Sequence, residues 1–77
     1  MSTLTTSQGV CWEIITINER AAYQAGEFMV FWNPRIKQHV LVNGFARVIM
    51  TGLVQDCLDS VSSAKGRLHI RHAAAVA

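Results

Sequence analysis

A chain of 77 residues with a formal net charge of +2 holds one domain, 1–77, near the lower size at which a core without disulfides or metal is stable by itself, and excludes a second. It is 51% hydrophobic and 16% charged, against about 25% charged in an average domain. One small core cannot hide that much apolar surface, so part of it is expected in a homo-oligomer interface, most simply a twofold dimer.

From its first residue, MSTLTTSQG is small and polar, so residues 1–8 read as a disordered terminus. It lacks the basic and then apolar segments of a secretory signal, and no later run approaches the roughly 20 apolar residues of a membrane helix. A cytoplasmic chain is expected, with Cys11 and Cys57 reduced and buried as small hydrophobes. Their separation, without Cys-x-x-Cys or paired histidines, gives no support for a zinc site.

VCWEIITI, residues 10–17, is rich in β-branched and aromatic side chains and reads as a strand. Asn18 then opens NERAAYQAG, either two helical turns closed by Gly26 or an irregular loop. EFMVFW, 27–32, has the length and aromatic content of a buried strand, and Asn33-Pro34-Arg35 ends it because Pro34 has no N–H for a ladder. IKQHVLV, 36–42, alternates weakly, and 27–42 therefore reads as a hairpin. A helix with Asn33 as cap and Pro34 at its first position competes, but its apolar residues form no single stripe.

The next stretch, VLVNGFARVIM, turns on Asn43-Gly44. The pair is a strong hairpin signal, and Asn is equally a preferred helix cap. Ala46, Ile49, Met50, Leu53, Val54, Cys57, Leu58 and Val61 follow helical spacing, so the period favours the cap and a helix near 44–64, with Lys65 and Gly66 at its end. RLHIRH then alternates as a half-exposed strand, 67–72, before AAAVA, 73–77, a frayed tail or strand end. That tail also resembles the small apolar C-termini read by bacterial energy-dependent proteases. The fold expected is α+β, a small antiparallel sheet of three to four strands in the order β-β-β-α-β, covered on one face by the amphipathic helix.

Chemistry-bearing patterns are few. There is no Gly-rich phosphate loop, no Gly-x-Ser-x-Gly, no His-Glu-x-x-His and no acidic metal cluster, so no enzyme and no cofactor is expected. Asp56 and Asp59, three apart, read as a solvated helix face. A Cys–His nucleophile pair would need one of the cysteines to meet a histidine in space.

The charges are divided unevenly: residues 1–33 hold Glu13, Glu19 and Glu27 against Arg20, a balance of −2, and residues 34–77 hold six Lys and Arg against Asp56 and Asp59, a balance of +4. Arg35, Lys37 and His39 share one side of their strand by period, as do Arg67, His69 and Arg71, and together they could line a surface for an acidic protein patch or nucleic acid. Trp12, Phe28, Phe31 and Trp32 are the candidates for an oligomer interface, with Trp12 or Trp32 partly exposed in a monomer.

Leu41-Val42-Asn43-Gly44, Asp56 about a dozen positions on, and Ile70-Arg71-His72-Ala73 resemble the bacterial Sm-like RNA chaperones, whose small β-barrels form rings on uridine-rich RNA. That resemblance implies Arg71 and His72 at an RNA pore, and it needs the hairpin reading of Asn43-Gly44. The function expected is a non-catalytic interaction module, a homo-oligomeric accessory or regulatory protein that binds a protein partner. A nucleic-acid-binding module, Sm-like or otherwise, is the alternative.

Overall fold

The computed structural model describes residues 2–71. Eight strands and one short helix occur in the order β1 (Ser2–Thr5), β2 (Cys11–Ile17), β3 (Arg20–Ala25), β4 (Phe28–Asn33), β5 (Gln38–Val42), β6 (Val48–Gly52), α1 (Val54–Asp59), β7 (Val61–Ala64) and β8 (Arg67–Ile70). The first six form one antiparallel sheet in chain order, and β7–β8 is a separate hairpin. The α+β expectation is therefore corrected: the molecule is mostly β, and no helix spans 44–64.

Tight turns explain why the meander forms. Asn18 and Glu19, at φ 52° and 67°, fill a two-residue turn between the paired Ile17 and Arg20. Left-handed φ at both central positions matches the twist of the flanking strands. Asn18 is thus a turn residue, and Arg20–Ala25, read as helix or loop, is a strand. Lys65 and Gly66, at φ 55° and 75°, make the same kind of turn between Ala64 and Arg67. Gly26, at φ 56°, opens the turn between Ala25 and Phe28.

Asn43-Gly44 belongs to a hairpin loop and caps no helix. Asn43 Oδ1 accepts the backbone N–H of Phe45 at 2.9 Å and of Arg47 at 3.1 Å, while the Asn43 N–H donates to the Arg47 carbonyl at 3.1 Å. One asparagine thereby satisfies the interior of the loop that returns the chain from β5 to β6. The ladder pairs Leu41 with Met50 and Val42 with Val48, with a bulge between them.

The helical stripe holds only in part. Val54, Cys57 and Leu58 lie on α1 and turn its apolar side inward, but Leu53 is 72% exposed and Ala46 stands at φ 60° in the loop. Gly52, at φ 146°, is in a region that excludes a helix and that glycine alone occupies without strain. Upstream of it, Val48, Ile49 and Thr51 are β-branched, and Val48 and Thr51 pair with Val42 and Val40 of β5.

Residues 2–5, read as part of the loose terminus, pair with β2 in register Leu4 with Trp12. The core joins Trp12, Phe28, Val30 and Leu41 of the sheet to Val10, Cys57, Leu58 and Val61. Cross-strand partners share a face, so this is the side that carries Ile14, Tyr23, Val30, Leu41 and Met50. α1 and the β7–β8 hairpin cover it. The hairpin is fixed by Ser63 N–H to the Gln8 carbonyl at 3.4 Å and by Leu68, whose Cδ1 lies 2.9 Å from where a Cβ on Gly26 would sit.

Candidate functional site

The opposite face of the sheet has no described element over it. A cross-strand row runs along it through Ile15, Ala22, Phe31, Val40 and Thr51. Ala22 and Val40 are buried, outside the main core. Ile15, Met29, Phe31 and Val42 remain half-buried, and Val48 is 57% exposed. Beside this face the β5–β6 loop holds out Phe45, 90% exposed. Phe45 escapes sequence reading because a lone aromatic after Asn-Gly looks the same whether it opens a helix or tips a loop.

Of the four expected interface aromatics, Trp12 and Phe28 are core residues, at 0% and 4% exposure. Trp12 Nε1 is buried without a hydrogen-bond partner. Phe31 lies on the open face, and Trp32, on the other parity, lies at the end of the sheet.

The six basic candidates do not form one surface. Arg35 and Lys37 sit in the β4–β5 turn, where Asn33 Oδ1 accepts the Arg35 N–H at 2.9 Å and Lys37 adopts φ 55°, so the strand alternation that placed them beside His39 does not apply. Arg67 and His69 are exposed on β8, beside Gly26 and Phe28. That is the far end of β4, about five residues or roughly 17 Å of strand away. Arg71 lies instead against α1, its backbone N–H donating to the Ser60 carbonyl at 2.7 Å and its guanidinium to the Asp59 carbonyl at 3.4 Å. His72 lies outside the described residues, as does AAAVA.

Around Trp32 the side chains converge. The Arg20 guanidinium carbon lies 4.8 Å from the Trp32 ring centroid, and the His39 ring meets Trp32 edge-on, 5.3 Å between centroids at 66°. Arg20 was not singled out by sequence, since only the turn at Asn18-Glu19 brings it back over β4. Burial, and then the charge of Arg20, lower the pKa of His39. A cleft of about 200 Å³ opens between Ile17, Arg20, Phe31, Trp32 and Pro34.

The cysteines differ from each other. Cys11 is exposed, against expectation, and Cys57 is buried. Cys57 Sγ donates to the backbone carbonyl of His39 at 3.8 Å, not to its ring. Burial, with a smaller contribution from Asp56, pushes this thiol up from 9.0 to about 11. That shift runs opposite to the lowered pKa of a thiolate nucleophile.

Asp59 Oδ2 accepts from Gln55 Nε2 at 3.1 Å, and its Oδ1 is buried without a partner. Among the described residues no group of three or more His, Cys, Asp or Glu is placed to hold a metal ion, and no helix is long and apolar enough to cross a membrane.

Compared with known protein families, curated proteins and solved structures, the chain matches none. The Sm-like resemblance therefore gains no support from relatives. Its hairpin at Asn43-Gly44 is present, but Asp56 lies on α1 and β1 to β4 occupy the chain before it, where that family has a helix.

Proposed function

We propose that the protein is a non-catalytic interaction module, a homo-oligomeric accessory or regulatory protein that acts by binding a protein partner. The observation that carries this reading is the set of half-buried and exposed apolar side chains on the open face of the sheet, Ile15, Met29, Phe31, Val42 and Val48, around the row Ile15-Ala22-Phe31-Val40. A second copy is the simplest occupant, because a self-complementary patch closes into a twofold dimer. Phe45 supplies a rigid knob, and the shallow groove formed by Met29, Phe31 and Val42 supplies a place for it.

The size of the face sets the strength. Six strands at about 4.8 Å and five residues at about 3.4 Å give a footprint of roughly 400 Å² per partner, about half that of a standard interface. Association is therefore expected to be weak, with a Kd in the micromolar range or above. Light scattering across a concentration series should show a mass that rises toward twice the monomer, and Phe31→Ser should abolish the rise. A mass that stays monomeric up to about 1 mM, where even weak pairs associate, sinks the reading.

A second reading, nucleic-acid binding, draws on the β4–β5 turn, which holds Arg35 and Lys37 at the same end of the sheet as the Arg20–Trp32–His39 group. Its signature is affinity for RNA or DNA that falls steeply between about 50 and 200 mM salt. Arg67, His69 and Arg71 should contribute little to it, being held at other places on the molecule.

A further inference from the structure

The end of the sheet formed by the β2–β3 turn and the β4–β5 turn combines features that the open face lacks. Trp32 is a large aromatic outside the core cluster, and a guanidinium lies on its ring at 4.8 Å. Such a stack presents two planar, polarisable surfaces, each suited to another ring. Beside it the cleft is walled by the apolar side chains of Ile17, Ala22, Phe31 and Pro34, and its volume is about 200 Å³. That is below the roughly 300–1,000 Å³ of pockets that enclose a drug-sized ligand. It therefore admits one ring system, with the rest of the ligand outside.

What lies outside is positive. Arg35 and Lys37, both exposed, occupy the turn that follows Pro34, and with Arg20 they outnumber the single nearby carboxylate in sequence, Glu19. A nucleotide whose ring enters the cleft can extend its phosphate toward this turn, where Arg35 follows Pro34 of the cleft wall and Lys37 lines the adjoining groove with Trp32 and His39. His39 packs edge-on against Trp32, and burial and the charge of Arg20 both disfavour its charged form.

We propose that this cleft binds a nucleotide, with the base against Arg20 and Trp32 and the phosphate at Arg35 and Lys37. The ligand is either a free nucleotide or one unit of a single strand, since both offer the same ring and phosphate. This sharpens the second functional reading; the cleft shares Ala22 and Phe31 with the apolar row of the open face, and Arg20→Ala separates the two because it leaves that row in place.

The test titrates 5′-AMP, a ten-nucleotide oligoadenylate and inorganic phosphate into the protein at about 50 mM salt, below the concentration at which it associates. The readout is Trp32 fluorescence, with Trp32→Phe as the variant that identifies the source of the signal. Quenching by AMP assigns a free-nucleotide site, and quenching by the oligomer alone assigns a single-strand site; either supports the proposal. Arg20→Ala should weaken binding about tenfold, and Lys37→Ala should lower the slope of log affinity against log salt for the oligomer by about one. The proposal is overturned if neither nucleotide ligand binds, if inorganic phosphate competes as well as AMP does, or if Arg20→Ala has no effect while circular dichroism shows the variant folded.

Discussion

The two faces of the six-stranded sheet are both apolar, and only one is covered. On β4 the sequence FMVFWN gives Phe28 and Val30 to the covered side and Met29 and Phe31 to the open side, with no polar residue until Asn33. A strand that reads as continuously apolar is usually buried on both faces. Here α1 and the β7–β8 hairpin, the last elements of the described chain, suffice for one side. The excess of hydrophobic residues is thus localised: it is the side of the meander over which the described residues place no further element.

The comparison breaks most sharply at its two large aromatics. Trp12→Ala should remove about 3–5 kcal/mol, a large part of the roughly 4–12 kcal/mol available to a chain of this size, and a chemical denaturation curve should show little or no folded baseline. Phe31→Ala, on the half-buried side, should cost about 1–2 kcal/mol and leave a cooperative transition. Equal losses would mean that the open face is as much core as the other. Trp12→Phe should be milder than its loss of volume suggests, since it also removes a buried N–H that has no partner.

A pH series sharpens the covered side. The Cys57 thiol is raised from 9.0 to about 11, so the stabilisation it reports is complete below pH 9 and is lost as the pH rises through 11. The unfolded thiol ionises first and pulls the equilibrium toward the unfolded chain. The loss is on the order of 1–3 kcal/mol, visible as a lower denaturation midpoint at alkaline pH, and Cys57→Ala should flatten that part of the profile.

Smaller effects lie at the joints. Gly26→Ala places a Cβ 2.9 Å from Leu68 Cδ1 at a residue with φ 56°, and should cost about 1–2 kcal/mol by levering the β7–β8 hairpin from the sheet. Backbone protection by hydrogen exchange should fall in β7 and β8 and hold in β2 to β5. Phe45→Ser, at a side chain 90% exposed, should change stability by less than about 0.5 kcal/mol. It should nevertheless weaken self-association, which separates the open face from the fold that supports it.

Much of the sheet is legible in the sequence. β2 and β4 lie where β-branched and aromatic content and the break at Asn33-Pro34 put them, and β5 and β8 where alternation does. β3 is hidden because Arg20-Ala21-Ala22-Tyr23-Gln24-Ala25 has the composition of a helix, and pairing on both sides overrides that weak preference. The error over 44–64 has a different origin. A short strand, an extended Leu53 and a six-residue helix happened to set their apolar residues at helical intervals, and the contrary signals, Gly52 and the β-branched Val48, Ile49 and Thr51, were each weak when taken alone. Of the site, Trp32, His39, Arg35 and Lys37 were visible as residue types, but Arg20 came to them only through the turn at Asn18-Glu19.

The meander also dictates an order of assembly. Each of its five ladders joins neighbours in the chain, three of its hairpins close over two to four residues, and none needs a distant segment to arrive first. Short closures are entropically cheap, so the ladders can form one after another as the chain emerges from synthesis. α1 and β7–β8 have no surface to pack on until that sheet exists. Until they dock, both faces are bare, and the interval before docking is when the chain is most exposed to aggregation.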